Sequence, residues 1–217
     1  MIDCNERALM LVFVRAPQAG QVKTRLAAEV GAECALAIYR RMAEHVVATV
    51  AALGEEARIR ICFTPPDRRD DVEEWLGTGG DYRAQGEGDL GGRMERAFLP
   101  AFDEGFRKVV VVGSDLPGLT TRLLERSLEL LDTHEAVIGP ATDGGYYLLG
   151  LRRPLDLFRG IPWSTPQVLS RTFDRFRAED VAPGILPSLN DVDEVGDLPE
   201  GYRAEYLMAS RSGSAPK

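Results

Sequence analysis

A chain of 217 residues suits one α/β domain, and its 44% hydrophobic and 28% charged residues are enough to bury a full core. A formal net charge of −8 excludes a broad phosphate-backbone surface, which needs clustered positive charge, so nucleic acid is not an expected partner. Lys23, Lys108 and Lys217 are the only lysines, so a lysine inside a glycine-containing loop stands out.

In chain order, Ala8 to Val14 is a continuous apolar run, as expected of a strand buried on both faces of a parallel sheet. Residues 15–22 read as a loop through Pro17 and Gly20, and helical patterning then runs from about Lys23 to Leu53 with a break at Gly31. RIRICFT (58–64) reads as a second strand, followed by a short helix over 67–76 and a short strand over 82–85. An amphipathic helix is predicted over 93–106, with Pro100 kinking or splitting it. VVVV (109–112) is the clearest central strand. A helix over 120–131 and strands over 136–139 and 146–151 follow. Thr165-Pro166 reads as a cap and first helical position for a helix to about 178. A weak strand is predicted over 186–192. One domain over 1–209 and a disordered small-residue tail over 210–217 complete the layout.

Strands alternating with helices predict an α/β fold with a largely parallel sheet, whose ligands bind beyond the carboxyl ends of the strands. Cys4, Cys34 and Cys62 are odd in number and widely spaced, which fits free thiols in a reducing compartment. His45 and His134, the only histidines, fall in a helix and near a strand start, so a Ser-His-Asp or Cys-His mechanism is poorly supplied. The N-terminus has neither a basic segment nor a small-residue cleavage site. Its apolar run is too short to span a bilayer, so a cytoplasmic, membrane-free protein is expected.

Four loops carry polar residues to the expected sheet edge. In Arg15-Ala16-Pro17-Gln18-Ala19-Gly20-Gln21-Val22-Lys23-Thr24-Arg25, a glycine turn feeds a helix start, Lys23 adds a point charge and Arg25 a fork for phosphate oxygens. A P-loop would need glycine where Pro17 and Val22 stand, so that motif is rejected; an ordinary strand–helix connection is the alternative. Asp115, in the Gly113–Gly118 loop directly after VVVV, is a rigidly held carboxylate suited to a divalent metal, the alternative being a helix cap. Asp143-Gly144-Gly145-Tyr146-Tyr147 combines a hairpin-type turn with glycines that permit close approach and a tyrosine pair that can flank a base or sugar. In Asn190-Asp191-Val192-Asp193-Glu194, an extended chain would point Asp191 and Asp193 the same way, toward a cation or into solvent. Two weaker candidates are Arg93, at the end of a glycine-rich loop over 85–92, and Trp163, for an acceptor pocket; plain loop and packing roles are the alternatives.

Together VRAPQAGQVKTRL, QGEGDLGGRM, GSDLPGLT, GPATDGGYYLLGL, PWST and NDVDEVGDL resemble, over residues 8–200, the bacterial nucleotide-diphospho-sugar transferase-like proteins with the glycosyltransferase-A fold, some linked to arsenosugar biosynthesis. That superfamily includes molybdenum-cofactor and 2-phospho-lactate guanylyltransferases. The resemblance implies a three-layer α/β/α sandwich with a Rossmann-like, mostly parallel mixed sheet. It also implies that the Lys23–Arg25 loop holds nucleotide phosphates; Ala16, Pro17 and Gly20 of that loop, and Arg93 from its own position, join it as phosphate-binding candidates. Asp115 and Asp193 would hold Mg2+ or Mn2+, while Gly144, Gly145, Tyr146 and Trp163 would face the sugar or acceptor. Asp143 would be the acceptor-activating base. The family ending D-x-D-T-x-x-D-L reads here with Glu194 in place of threonine, which puts the local turn in question.

The expected function is metal-dependent transfer of a sugar from a nucleotide-diphosphate donor to a small acceptor. Nucleotidyl transfer with pyrophosphate release and non-catalytic nucleotide binding are the alternatives, and a homodimer is left open.

Overall fold

The computed structural model describes residues 8–203. The predicted tail and Cys4 lie outside the described residues. Strand β1 (Ala8–Arg15) is buried along all but its last residue, and its side chains divide between two cores. Met10, Val12 and Val14 pack on one face of the sheet, Leu9, Leu11 and Phe13 on the other, because successive strand side chains point oppositely. A strand apolar at every position therefore needs helices on both sides, and it has them.

One face is covered by α2 (Ala32–Ala51), α3 (Arg69–Leu76) and α5 (Thr121–Thr133), through Val46, Val50, Val72, Leu124 and Leu128. The other is covered by α4 (Leu90–Asp103) and α6 (Val168–Ala178), through Met94, Phe98 and Phe176. Helix α1 (Thr24–Val30) packs Leu26 on Ile38 and Met42 of α2 and on Val192. The remaining strands are β2 (Ala57–Thr64), β3 (Asp81–Ala84), β4 (Val109–Val112), β5 (Ala136–Pro140), β6 (Tyr146–Leu151) and β7 (Gly184–Ile185). They form one sheet in the order β3-β2-β1-β4-β6-β5-β7, in which β6 alone runs antiparallel to its neighbours. This is the three-layer, mostly parallel mixed sheet expected from the sequence.

Several local expectations need correction. Pro100 does not split its helix: α4 runs through it unbroken. The ring lies on the exposed side, where the Arg96 carbonyl left without its partner can meet solvent. The last long helix begins at Val168, two residues beyond Pro166, although the Thr165 hydroxyl still accepts from the Gln167 amide at 3.3 Å. The weak strand predicted over 186–192 is displaced to β7. Beyond it the chain keeps one bridge, Leu189 to Ala141. Arg60, a charged residue in β2, is buried, and Asp81 at 2.7 Å and Glu104 at 2.6 Å accompany it. Cys34 and Cys62 are free, and no described helix is long and apolar enough to cross a membrane.

Candidate functional site

The carboxyl ends of β1 to β4 deliver the 15–25, 64–68, 85–89 and 113–119 segments to one rim, and the β5–β6 hairpin brings residues 141–145 to the same edge. Tyr39, on α2, clamps the end of β1: its hydroxyl accepts from the Arg15 amide at 2.7 Å and donates to the Arg15 carbonyl at 2.9 Å. Burial holds the Tyr39 phenol well above its ordinary pKa, so it stays protonated as this bond requires. Beyond the clamp the chain turns through Gly20 and reaches Lys23, whose backbone is left-handed at φ 47°. That turn aims the lysine across the rim, and its ammonium lies 2.5 Å from Asp115 Oδ2 and 3.0 Å from Asp193 Oδ1.

Three residues far apart in sequence thus meet at one point. The lysine side chain is only 7% exposed, against 32% for Asp115 and 47% for Asp193. Burial works against the ammonium, but the Asp115 and Asp193 carboxylates outweigh it and hold the Lys23 pKa above its ordinary value. Arg25, 72% exposed, stands 3.5 Å from the other oxygen of Asp193.

The backbone sets the two carboxylates. Asp115 is the third residue after β4, and Thr120, not Asp115, caps α5, so the aspartate is free of the capping alternative. The Ser114 hydroxyl donates to it at 3.1 Å. The 189–193 segment is laid alongside by the Leu189 amide on the Pro140 carbonyl and the Val192 amide on the Asp115 carbonyl. Val192 is fully buried, so its neighbours Asp191 and Asp193 turn outward into the cleft.

Two clefts adjoin at this cluster. One, of about 360 Å³, runs along the ends of β1 and β2 and is walled by Lys23, Tyr39, Thr64 and Gln85. The other, of about 480 Å³, lies beyond Asp115 and is walled by Asp143, Gly145, Tyr146, Trp163 and Asp191. Arg25, Asp115 and Asp193 border both.

The family model described as "Uncharacterized protein conserved in bacteria (DUF2064)" matches residues 46–165. A crystal structure of a "putative nucleotide-diphospho-sugar transferase" from Desulfovibrio desulfuricans G20 is 33% identical, spans 96% of this chain and 99% of its own, and superposes with a TM-score of 0.85. The chain belongs to this family. Two more distant structures share the fold of this DUF2064 protein. CMP:2-keto-3-deoxy-manno-octonic acid synthetase complexed with CTP is 15% identical over 94% of this chain and 99% of its own, with a TM-score of 0.57. Glucosyl-3-phosphoglycerate synthase of Mycobacterium tuberculosis, solved with Mn2+, UDP and phosphoglyceric acid, is 11% identical over 98% and 80%, with a TM-score of 0.56. No protein of curated function matches the chain by sequence.

In the DUF2064 protein the predicted residues do not all reach the clefts. Lys23, Arg25, Asp115, Asp143, Gly145, Tyr146, Trp163 and Asp193 do. Ala16 is buried in the core, and Pro17 and Gly20 shape the turn without walling either cleft. Arg93 turns the other way: its Nε donates to the Gly88 carbonyl at 3.0 Å, and it lines a separate hollow with Arg60, Arg83 and Arg96. Gly144, at φ 91°, lies against the Pro166 backbone, where an added Cβ would sit 2.7 Å from the Pro166 Cα. Its missing side chain makes room for the 163–167 turn. Trp163 packs edge-on to Tyr146 and against Gly91, and its indole N–H is buried without a partner among the described residues.

The aspartate-rich ending keeps its turn without threonine. The Asp197 carboxylate accepts from the Asp193 and Glu194 amides at 3.0 and 2.9 Å, and the Glu194 side chain accepts in return from the Asp197 amide. Glutamate therefore caps this turn.

Sequence reasoning missed Tyr39 and Gln85. The Gln85 amide group donates to the carbonyls of Val14 and Cys62, tying the ends of β1 and β2 together under the smaller cleft. It also passed over the surroundings of Asp191. Burial, then the nearby Asp143 and Asp193 carboxylates, raise its pKa against the opposing pull of Lys23. Four carboxylates (Asp115, Asp143, Asp191 and Asp193) face three cations here, Arg15, Lys23 and Arg25.

No three acidic, histidine or cysteine side chains among the described residues form a complete metal cage. Two hard carboxylates converging on one point, in a cleft with excess negative charge, do suit a cation that takes its other ligands from water and phosphate.

Proposed function

We propose that this protein is a metal-dependent transferase that uses a nucleoside-diphosphate sugar to glycosylate a small acceptor. The observation that carries this reading is the meeting of Lys23, Asp115 and Asp193 at the seam between two clefts, because a diphosphate needs positive charge where a donor cleft joins an acceptor cleft. The glycosyltransferase fold bound to Mn2+ and UDP and the D. desulfuricans relative support it.

In this reading the nucleoside lies in the smaller cleft, over the rim that Tyr39 and Gln85 hold rigid. Lys23 and Arg25 bind the diphosphate and stabilise the charge that grows on it as the anomeric C–O bond breaks. Asp115 and Asp193 would hold Mg2+ or Mn2+, which supplies Lewis-acid stabilisation of the leaving diphosphate. The sugar and acceptor occupy the larger cleft against Tyr146 and Trp163. Asp143 receives the acceptor hydroxyl's proton as its oxygen bonds to the anomeric carbon. One of its oxygens accepts from the Gly145 amide at 2.8 Å, which orients the other toward the cleft for that work. No export or membrane element enters this reading, and the cytoplasm is the proposed compartment.

The second reading is nucleotidyl transfer, favoured by one observation: the CTP-bound synthetase superposes on this fold as well as the Mn2+–UDP enzyme does. It would use the same lysine and carboxylates but release pyrophosphate. Incubation with nucleoside triphosphates and with UDP-, GDP-, CDP- and ADP-sugars, over a panel of hydroxyl and phosphate acceptors with Mg2+ or Mn2+, separates them. Free nucleoside diphosphate supports the first reading, and pyrophosphate replaces it with the second. Binding without turnover across the whole panel overturns both. In calorimetry with UDP, GDP and CDP, Asp115→Ala should lose the Mn2+-dependent part of binding while keeping a cooperative unfolding transition. Unchanged affinity would remove Asp115 from the site.

A further inference from the structure

We infer that Lys23 is the resident counter-ion of the Asp115–Asp193 pair and passes from these carboxylates to the donor diphosphate as the divalent cation arrives, so that cation and nucleotide each bind weakly alone and tightly together. This rests on the donor reading above and adds a binding order to it.

The lysine occupies the place between the two carboxylates that a metal would need, at 2.5 and 3.0 Å. The carboxylates are the fixed members. Asp115 is the third residue after β4 and its carbonyl accepts from the Val192 amide, which with the Asp193 amide on Asp197 also pins Asp193. Lys23 is the movable one, an ammonium on a flexible four-carbon stem. It springs from a left-handed residue at φ 47°, a sparsely used backbone state for a side chain of this kind.

Charge counting gives the order. The two carboxylates and the lysine sum to one negative charge. A divalent cation alone turns that into one positive charge and strands an ammonium whose side chain is 7% exposed. Adding a nucleoside-diphosphate sugar, with its two negative charges, restores one negative charge and gives the displaced ammonium two phosphates to face. The cation therefore lacks a favourable site until the diphosphate is present, and each ligand raises the affinity of the other by the same factor.

The test follows Mn2+ by the loss of its free-ion paramagnetic resonance signal, with Mn2+ alone and with Mn2+ plus UDP, GDP or CDP. The wild-type protein should bind Mn2+ about tenfold or more tightly in the presence of the nucleotide it accepts, within the usual range of coupling between sites. Lys23→Met should bind Mn2+ alone about tenfold more tightly than wild type and lose most of the coupling, while Lys23→Arg should keep the weak nucleotide-free binding. Wild-type protein binding Mn2+ equally well with and without nucleotide would overturn the hand-over, whatever the variants do. Unchanged Mn2+ affinity in Lys23→Met, with nucleotide binding intact, would overturn it and leave the donor reading standing. Absence of all nucleotide binding would remove both.

Discussion

The two adjacent glycines of the β5–β6 hairpin should respond very unequally to the same substitution. In Gly144→Ala, the new methyl would lie 2.7 and 2.8 Å from the Cα and carbonyl carbon of Pro166, closer than carbon atoms approach, and the obstacle is backbone that cannot rotate aside. The residue also sits at φ 91°, where a side chain is strained. Strain of about 1–2 kcal/mol and overpacking of about 1–3 kcal/mol give a loss of ~2–5 kcal/mol. At roughly 2–4 °C per kcal/mol for a chain of this size, the melting point should fall by about 10 °C. In Gly145→Ala, the methyl would meet only the Asp143 carboxylate, 3.1 Å away, and the backbone carries no positive φ. A side chain can turn, so that cost should stay within about 1 kcal/mol. Thermal and urea unfolding of both variants, compared with wild type, read the difference directly. Because the Leu169 amide donates to the Gly144 carbonyl at 2.8 Å, Gly144→Ala should also displace the start of α6 and with it Trp163. Equal melting points for the two variants would refute the close approach of the 163–167 turn as the reason for glycine at 144.

Trp163→Phe should leave stability within ~1 kcal/mol of wild type, because the lost ring area is offset by removing a buried donor without a partner. A loss above ~2 kcal/mol in urea would show that the indole N–H is bonded. Arg60 should make Asp81 and Glu104 interdependent: Asp81→Asn or Glu104→Gln alone leaves one carboxylate on a guanidinium that is 6% exposed, and the pair together strands it. A double-mutant cycle should show about 1–2 kcal/mol of coupling, and strict additivity would count against it. Burial pushes the Cys62 thiol up to about 12, so it should resist disulfide reagents at pH 8 until the protein unfolds. Labelling at the rate of an exposed thiol would contradict that burial.

The layers were legible because they follow from local pattern. A strand apolar at every position, as 8–14 and 109–112 are, fits only between two helical faces, and both runs lie at the centre of the sheet. The site was legible to the extent that function clusters after strand ends, which is why Lys23, Asp115 and Asp143 could be marked. What a chain position cannot tell is which neighbour uses it. Tyr39 looks like one more apolar step of a helix, yet its hydroxyl holds Arg15, 24 positions earlier. Gly144 reads as room for a ligand, and the room is taken by Pro166. Arg93 reads as an anion binder at a helix start, and it faces away to hold Gly88. The substitution of Glu194 for threonine leaves the turn intact because a carboxylate can cap as a hydroxyl does, provided Asp197 stands three residues on. Each of these turns on a contact between segments brought together only by the sheet.

The same contacts bear on which transfer the site favours. Both transfers would place a diphosphate at Lys23, and they differ in where the incoming acceptor must stand. Attack on the phosphate next to the nucleoside would place the acceptor beside the smaller cleft of about 360 Å³, among Tyr39, Thr64 and Gln85. Attack on a sugar beyond the second phosphate needs room past Asp115 for a ring and an acceptor together. The larger cleft of about 480 Å³ opens on that side, with the rings of Tyr146 and Trp163 set edge to face along it and a carboxylate at its mouth. Aromatic rings suit the apolar faces of a sugar, whereas a phosphate acceptor would meet Asp143 and Asp191, with Arg25 as the cation lining that cleft. An uncharged hydroxyl acceptor is the ligand this wall repels least, and that asymmetry favours glycosyl over nucleotidyl transfer.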